Sequence, residues 1–341
     1  MIAAISAFVT DLARTRTIRH PPGVSPTPET DPGAEVRLAV EAGPGTDTPP
    51  GAEAAVAELR PVAVGLAVPG LVTSTHAVFS AAFGWRDVPA SAFTDVDLPV
   101  ALGHDVRSAG EAELAYGVGG ENVLFLPIGT GIAGAVVLSG SLYGGAGGWA
   151  GQIGHIPVWP DGLACGCGQR GCLAAYASGS AIATRGGAGT AEEVVRRATR
   201  HAAKVAAESA AGDGAATIRT ATGVGDSAAV TGVGGGSAVG DARAAEVWGE
   251  AVEALALALA TYTLLLDPAR IVIGGGVAQA GDALLVPLRE RLTARLAFRR
   301  PPEVLASSLG VRAGLMGAGL LGWRAAGSVV QVGGQVHEPR P

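Results

Sequence analysis

All three cysteines of this 341-residue chain fall within eight positions, Cys165, Cys167 and Cys172, and His155 stands ten residues ahead of the first. One nitrogen and three sulfurs are the ligand set of a closed tetrahedral zinc site, which is structural because no coordination position stays open for substrate. Glycines at 166, 168 and 171 allow the turns that bring three thiolates together. Buried cysteines acting as small hydrophobes would be scattered along the chain. The cluster therefore points to zinc bound by His155, Cys165, Cys167 and Cys172. A disulfide reading is disfavoured by an expected cytoplasmic, reducing location. In the N-terminal MIAAISAFVTDLARTR the basic residues follow the apolar run, the reverse of a secretory signal. No uncharged apolar stretch of about 20 residues is present to span a bilayer.

The remaining pattern alternates short apolar runs with helical periods. Strands are expected at 2–9, 61–68, 100–102 and 270–273, with a hairpin of 122–127 and 134–139 around IGTGIAG. Helices are expected at 34–41, 51–59, 107–116, 190–207, 244–266 and 282–296. Such alternation argues for an α/β architecture. Residues 210–240 have no period and almost no charge, and are expected to form a flexible insertion; the tail from Val329 reads similarly. Charged residues make up 16% of the chain and the net charge is -6, so nothing suggests a nucleic-acid partner.

Two glycine-rich turns and one aspartate are candidate site elements. Gly129-Thr130-Gly131 follows a strand, where small residues let backbone N–H groups approach phosphate, although hairpin turns use the same residues. Gly274-Gly275-Gly276 follows the strand ARIVI and suits an ordinary β-to-α turn as well. Asp105, in Gly-His-Asp, ends a strand ahead of a helix. Taken by itself it reads as a helix N-cap.

These segments in their order, GLAVPGLV, GWRDVP, GHDVRSAGEAELAYG, LPIGTGIAGAVVLSGSLYGGAGGWAGQIGH, the cysteine cluster and LLLDPARIVIGGGVA, resemble the ROK family of repressors, open reading frames and kinases. The resemblance covers about residues 2–325. It implies a two-domain actin-like, ribonuclease-H-like ATPase fold with a structural zinc site. The first domain is expected over 1–118 with a C-terminal helix at 312–326, and the second over 119–311. It implies ATP-dependent phosphoryl transfer with Mg2+ to a hexose hydroxyl, as in glucokinases. Asp105 takes the place of the general base. His104, Gln152 and His155 take sugar-binding places, and His155 could offer its second ring nitrogen to a sugar hydroxyl. Gly129, Thr130, Gly131, Gly274, Gly275 and Gly276 take the nucleotide-binding places. The implied partners are a sugar and a nucleotide, with no membrane, in a homodimer or homotetramer.

The sequence departs from the family pattern at several of these places. It contains no D-x-G-x-T phosphate loop, and Met1-Ile2-Ala3-Ala4 resembles the segment just after one. His104 replaces the usual Asn, Gln152 and Ala174 replace Glu, and Ala81-Ala82-Phe83 supplies no Asn. A sugar-binding sensor without catalysis is therefore the alternative reading. A repressor effector domain ranks behind both, because no helix-turn-helix precedes the fold.

Overall fold

Continuous apolar runs form the strands at the centre of the molecule. The computed structural model describes residues 61–80, 83–218 and 235–330. The elements expected at 2–9, 34–41 and 51–59 lie outside these residues. Strand β1 (Val64–Val68) pairs in parallel with β5 (Val100–His104). Between them β2 (Leu71–Val72), β3 (His76–Ser80) and β4 (Trp85–Pro89) form an antiparallel flap. Its core gathers Val72, Ala77, Trp85 and Phe93, with the two aromatic rings edge-on at 5.2 Å. Helix α1 (Asp105–Tyr116) follows β5 directly.

A five-stranded sheet carries the rest of the chain. Strands β6 (Val123–Pro127), β7 (Ala135–Leu138), β8 (Ser141–Tyr143), β9 (Arg270–Gly274) and β10 (Glu303–Ala306) lie in the order β10-β9-β6-β7-β8. The hairpin expected around IGTGIAG is the β6–β7 pair. The parallel strands β6 and β9 are buried almost throughout, which explains why they read as unbroken apolar runs. Helices α2 (Ala174–Ala177), α3 (Gly179–Arg185), α4 (Ala191–Ile218), α5 (Gly235–Leu266) and α6 (Asp282–Arg295) complete this part. Both α4 and α5 run into the stretch expected to be an insertion. On the α4 side the alanines of 208–218 favour helix despite the lack of an amphipathic period. Residues 219–234 lie outside the described residues.

Helix α5 contains the most apolar long segment of the described chain. Val239–Leu266 meets the length and hydropathy of a membrane span, but 56% of its most apolar 18-residue window is buried inside the molecule. Ala251, Ala254, Leu255, Ala258 and Leu259 have no exposed surface, so its small side chains let α4 and α6 pack closely on either side. Helix α6 carries Pro287 in its interior. Proline has no N–H to offer the carbonyl four residues back, here Ala283. The buried indole of Trp248 on α5 donates to that carbonyl at 3.2 Å.

Helix α7 (Ala313–Val330) returns to β1, β5 and α1. The approach is backbone to backbone: a Cβ added at Gly65 would lie 1.9 Å from the Ala318 carbonyl oxygen, and one at Gly317 would lie 2.1 Å from that of Ser108. Glu113 on α1 is 1% exposed and accepts four hydrogen bonds. The donors are the N–H groups of Val118 and Leu309, both at 3.0 Å, and the hydroxyls of Ser308 and Ser307. This carboxylate fastens α1 to the turn that leaves β10 and enters α7.

Replacing Trp248 with Phe should destabilise the protein by about 1–3 kcal/mol, because the Ala283 carbonyl is left without a donor. The same change in a Pro287→Ala background should cost much less, since the alanine introduced there supplies its own N–H. Chemical denaturation of the four proteins in the cycle measures the difference.

Candidate active site

The parallel register of β6 and β9 places Pro127 opposite Gly274, so both strands end side by side. Ile128, fully buried, then joins the two glycine turns: its N–H donates to the Gly274 carbonyl at 2.9 Å, and its carbonyl accepts from Val277 N–H at 3.1 Å. Gly275 has φ +76°, and a Cβ there would lie 2.5 Å from the Ile128 carbonyl oxygen, so only glycine fits. The Gly129–Gly131 turn is held from the other side by α3. Gly179 N–H donates to the Gly129 carbonyl at 2.7 Å and Ser180 Oγ to the Thr130 carbonyl at 2.6 Å. All six glycine-turn residues named in the sequence are thus brought together.

These turns border a cavity of about 510 Å³, lined also by Thr190, Glu192 and Gln279. Sequence reasoning missed those three. The one signal at hand, Thr190 three residues ahead of Glu193, marks a helix start and carries no hint of a ligand. Thr190 does cap α4, accepting from Glu193 N–H at 3.2 Å. A second cavity of about 490 Å³ lies across the Thr130–Ser180 ridge, between α3 and the cysteine loop, and Ala174 and Cys165 line it.

At the end of β5 the side chain of His104 caps α1, its Nδ1 accepting from Arg107 N–H at 3.4 Å. Asp105 is the first residue of the helix. One carboxylate oxygen accepts from Val106 N–H at 2.7 Å, and the side chain is 44% exposed. The cap role read for Asp105 therefore falls to His104, one residue earlier. Asp105 keeps an oxygen free toward solvent. His104 is buried, and that burial holds its pKa below the usual range; Asp105, 3.3 Å away, opposes the shift and Arg107 adds to it.

Gln152 and His155 lie on the segment after β8. His155 ends a single helical turn over Ile153–His155 and donates its N–H to the Gln152 carbonyl at 3.1 Å. Its Nδ1 stands 3.9 Å from Cys165 Sγ, and Cys167 Sγ stands 3.7 Å from Cys172 Sγ. The four ligand atoms lie within 4.8 Å of one another. Tetrahedral zinc with these donors needs separations of about 3.3–3.8 Å, so the set fits with little movement. The loop is held open by Gly171, at φ +72°, and by Tyr176, whose hydroxyl accepts from Leu163 N–H at 2.7 Å. Cys172 is fully buried, and burial beside the other two thiols pushes its pKa up to about 12. Cys167 is exposed, and a backbone hydrogen bond at Gln169 lowers its pKa. A buried thiol of this kind ionises readily only beside a cation.

The ROK family model matches residues 52–324. The chain belongs to the ROK family. This ROK protein is 33% identical over 269 residues to a glucokinase of Halalkalibacterium halodurans, covering 76% of each chain. Its fold matches a ROK glucokinase of Streptomyces griseus, solved with glucose and AMPPNP, at 31% identity and TM-score 0.58, covering 77% of this chain and 82% of that one. A ROK hexokinase of Thermus thermophilus matches at 27% identity with the same TM-score, covering 79% of this chain and 81% of that one. The mixed α/β sheets of this ROK protein are those of the actin-like sugar-kinase fold.

The depressed pKa of His104 gives a pH dependence. The unfolded chain takes up a proton near pH 6.5, whereas the folded chain resists until a lower pH. The stability from neutral His104 is therefore complete above about pH 6.5 and is lost as pH falls through the folded value. His104→Asn keeps a capping acceptor that does not titrate. Its melting temperature should rise relative to the unsubstituted protein between pH 7.5 and 5, and parallel curves would remove the effect.

Proposed function

We propose that the protein is an ATP-dependent sugar kinase that transfers the γ-phosphoryl group to a hexose hydroxyl. The observation that carries this reading is the pair of glycine turns joined through Ile128 at the mouth of a nucleotide-sized cavity. Backbone N–H groups and the exposed Thr130 hydroxyl suit phosphate oxygens there. Thr190, Glu192 and Gln279 suit the ribose and base. Asp105 is the group for accepting the proton of the attacking hydroxyl: Val106 N–H orients one oxygen and the other faces solvent. His104, Gln152 and His155 would bind sugar hydroxyls. Phosphoryl transfer asks mainly for positioning and charge stabilisation beyond that base. Mg2+ supplies neutralisation of the phosphate charge when bound. The cysteine–histidine set is the only cluster of three or more such metal-binding groups among the described residues, so Mg2+ would be held largely by the nucleotide's own phosphate oxygens.

Zinc at His155, Cys165, Cys167 and Cys172 is the structural part of this proposal. It would fix the loop that carries His155 and leave His155 Nε2 for the sugar. A sugar-binding protein without transfer is the second reading, favoured by the alanines that stand at 82 and 174 where the family pattern has polar residues.

Hexoses with ATP and Mg2+ should release ADP, and Asp105→Asn should lower kcat by about 10²–10⁴-fold while sugar still binds. Full activity of that variant would remove Asp105 as the base. Sugar binding without ADP release by the unsubstituted protein would favour the second reading. Elemental analysis should find one zinc per chain. Cys167→Ser should lower the melting temperature and sugar affinity together; zinc loss with sugar affinity intact would separate the metal from the sugar site.

A further inference from the structure

The cavity of about 490 Å³ across the Thr130–Ser180 ridge is given no task by the kinase reading. Residues already placed fix where it lies. Thr130 and Gly131 of the first glycine turn line it, and so does Cys165. Cys165 Sγ in turn stands 3.9 Å from His155 Nδ1. A sugar held by His155, with its reacting hydroxyl toward a phosphate at Thr130, therefore has this cavity along its side. Its volume falls within the range of about 300–1,000 Å³ that small-molecule pockets occupy.

The wall is apolar because its side chains are short or already engaged. Leu163, Ala164, Ala174, Ala175 and Ala181 supply aliphatic surface. Leu163 is 41% exposed, so part of that surface is open to a ligand. The polar groups are largely spent within the protein. Ser180 Oγ donates to the Thr130 carbonyl, and Ser178 Oγ caps α3 by accepting from Ala181 N–H at 3.2 Å. Arg185 is paired with Glu250, lies over the Tyr176 ring and donates to the Tyr176 carbonyl at 3.4 Å. Its charge is therefore met from inside the protein, and the hydroxyls of Thr130 and Thr184 are left as the polar points of the wall. Ala174, the half-buried first residue of α2, stands where the family pattern has a glutamate. A carboxylate there would occupy part of the cavity and set a charge against the alanines. With alanine, an aliphatic group entering the cavity leaves water at no electrostatic cost.

We propose that this cavity receives an apolar substituent of the sugar, so that the preferred substrate is an uncharged hexose carrying a short aliphatic chain and plain glucose is the poorer one. An acyl chain on a sugar nitrogen and an alkyl chain on the glycosidic oxygen present the same surface to the wall. This deepens the kinase reading and rests on it for the placing of the sugar.

The test compares D-glucose with two series of growing chain length: N-acetyl, N-butanoyl and N-hexanoyl D-glucosamine, and methyl, propyl and pentyl β-D-glucoside. Calorimetric binding is measured without nucleotide, and ADP release with ATP and Mg2+. In one series affinity should climb by about two- to four-fold per methylene, as expected for a CH2 that becomes partly or fully buried. The series that climbs identifies the point of attachment. Ala181→Met, which fills the cavity, and Ala174→Glu, which charges its wall, should each flatten the climb. Melting temperatures of both variants separate a binding effect from a folding defect. Glucose bound more tightly than every substituted sugar would overturn the proposal. So would affinities independent of chain length in both series, or a climb that survives both substitutions. ADP release from glucose with two flat series would leave the kinase reading standing without this one. A climb abolished by the substitutions, with no ADP release from any sugar, would sink the kinase reading and keep the cavity as a binding site.

Discussion

Two hydrogen bonds at Ile128 hold the site together. Its N–H and carbonyl bind opposite ends of the second glycine turn, while its side chain is sealed in the core. A buried backbone group without a partner would cost several kcal/mol, so neither turn can shift without the other. The shape of the cavity beside these turns follows from this. The parallel register sets where the strands stop, Ile128 sets the spacing of the turns, and α3 fixes the first turn from outside through Gly179 and Ser180.

A similar economy links the two sheets. The carboxylate of Glu113 is buried and saturated by four donors from the ends of α1 and β10. Removing one donor would leave a buried charge poorly solvated. The segment that delivers Asp105 and Arg107 is thus anchored at its far end, and their positions at the near end follow from the rigidity of one helix.

Parts of this arrangement are legible in the residues and parts are not. The convergence of His155 with the three cysteines can be read directly, because residue type and spacing lie within one short stretch. The glycine turns can be placed after their strands, but their joining through Ile128 is a contact between segments about 145 residues apart, beyond any local pattern. Asp105 reads as a cap because the strand was expected to end at 102; the pairing of Ala67 and Val68 with Gly103 and His104 carries it two residues further and moves the cap to His104. The flap escaped notice because its strands are two to five residues long and mix His, Ser and Arg with the apolar positions. Helix α4 overran its expected end since alanine sustains a helix without an amphipathic stripe.

The seam between α7 and β1 has a mechanical meaning. Where Gly65 meets Ala318 and Gly322, main chain touches main chain, with no rotamers between them to take up sliding. Such a joint transmits displacement like a weld. Helix α7, the β1–β5 pair and α1 must travel as one body, carrying Asp105 and Arg107 in fixed relation to each other. Since Glu113 binds the segment after β10 and a Cβ at Gly110 would meet Ala135 of β7, the same stiffness passes through α1 into the large sheet.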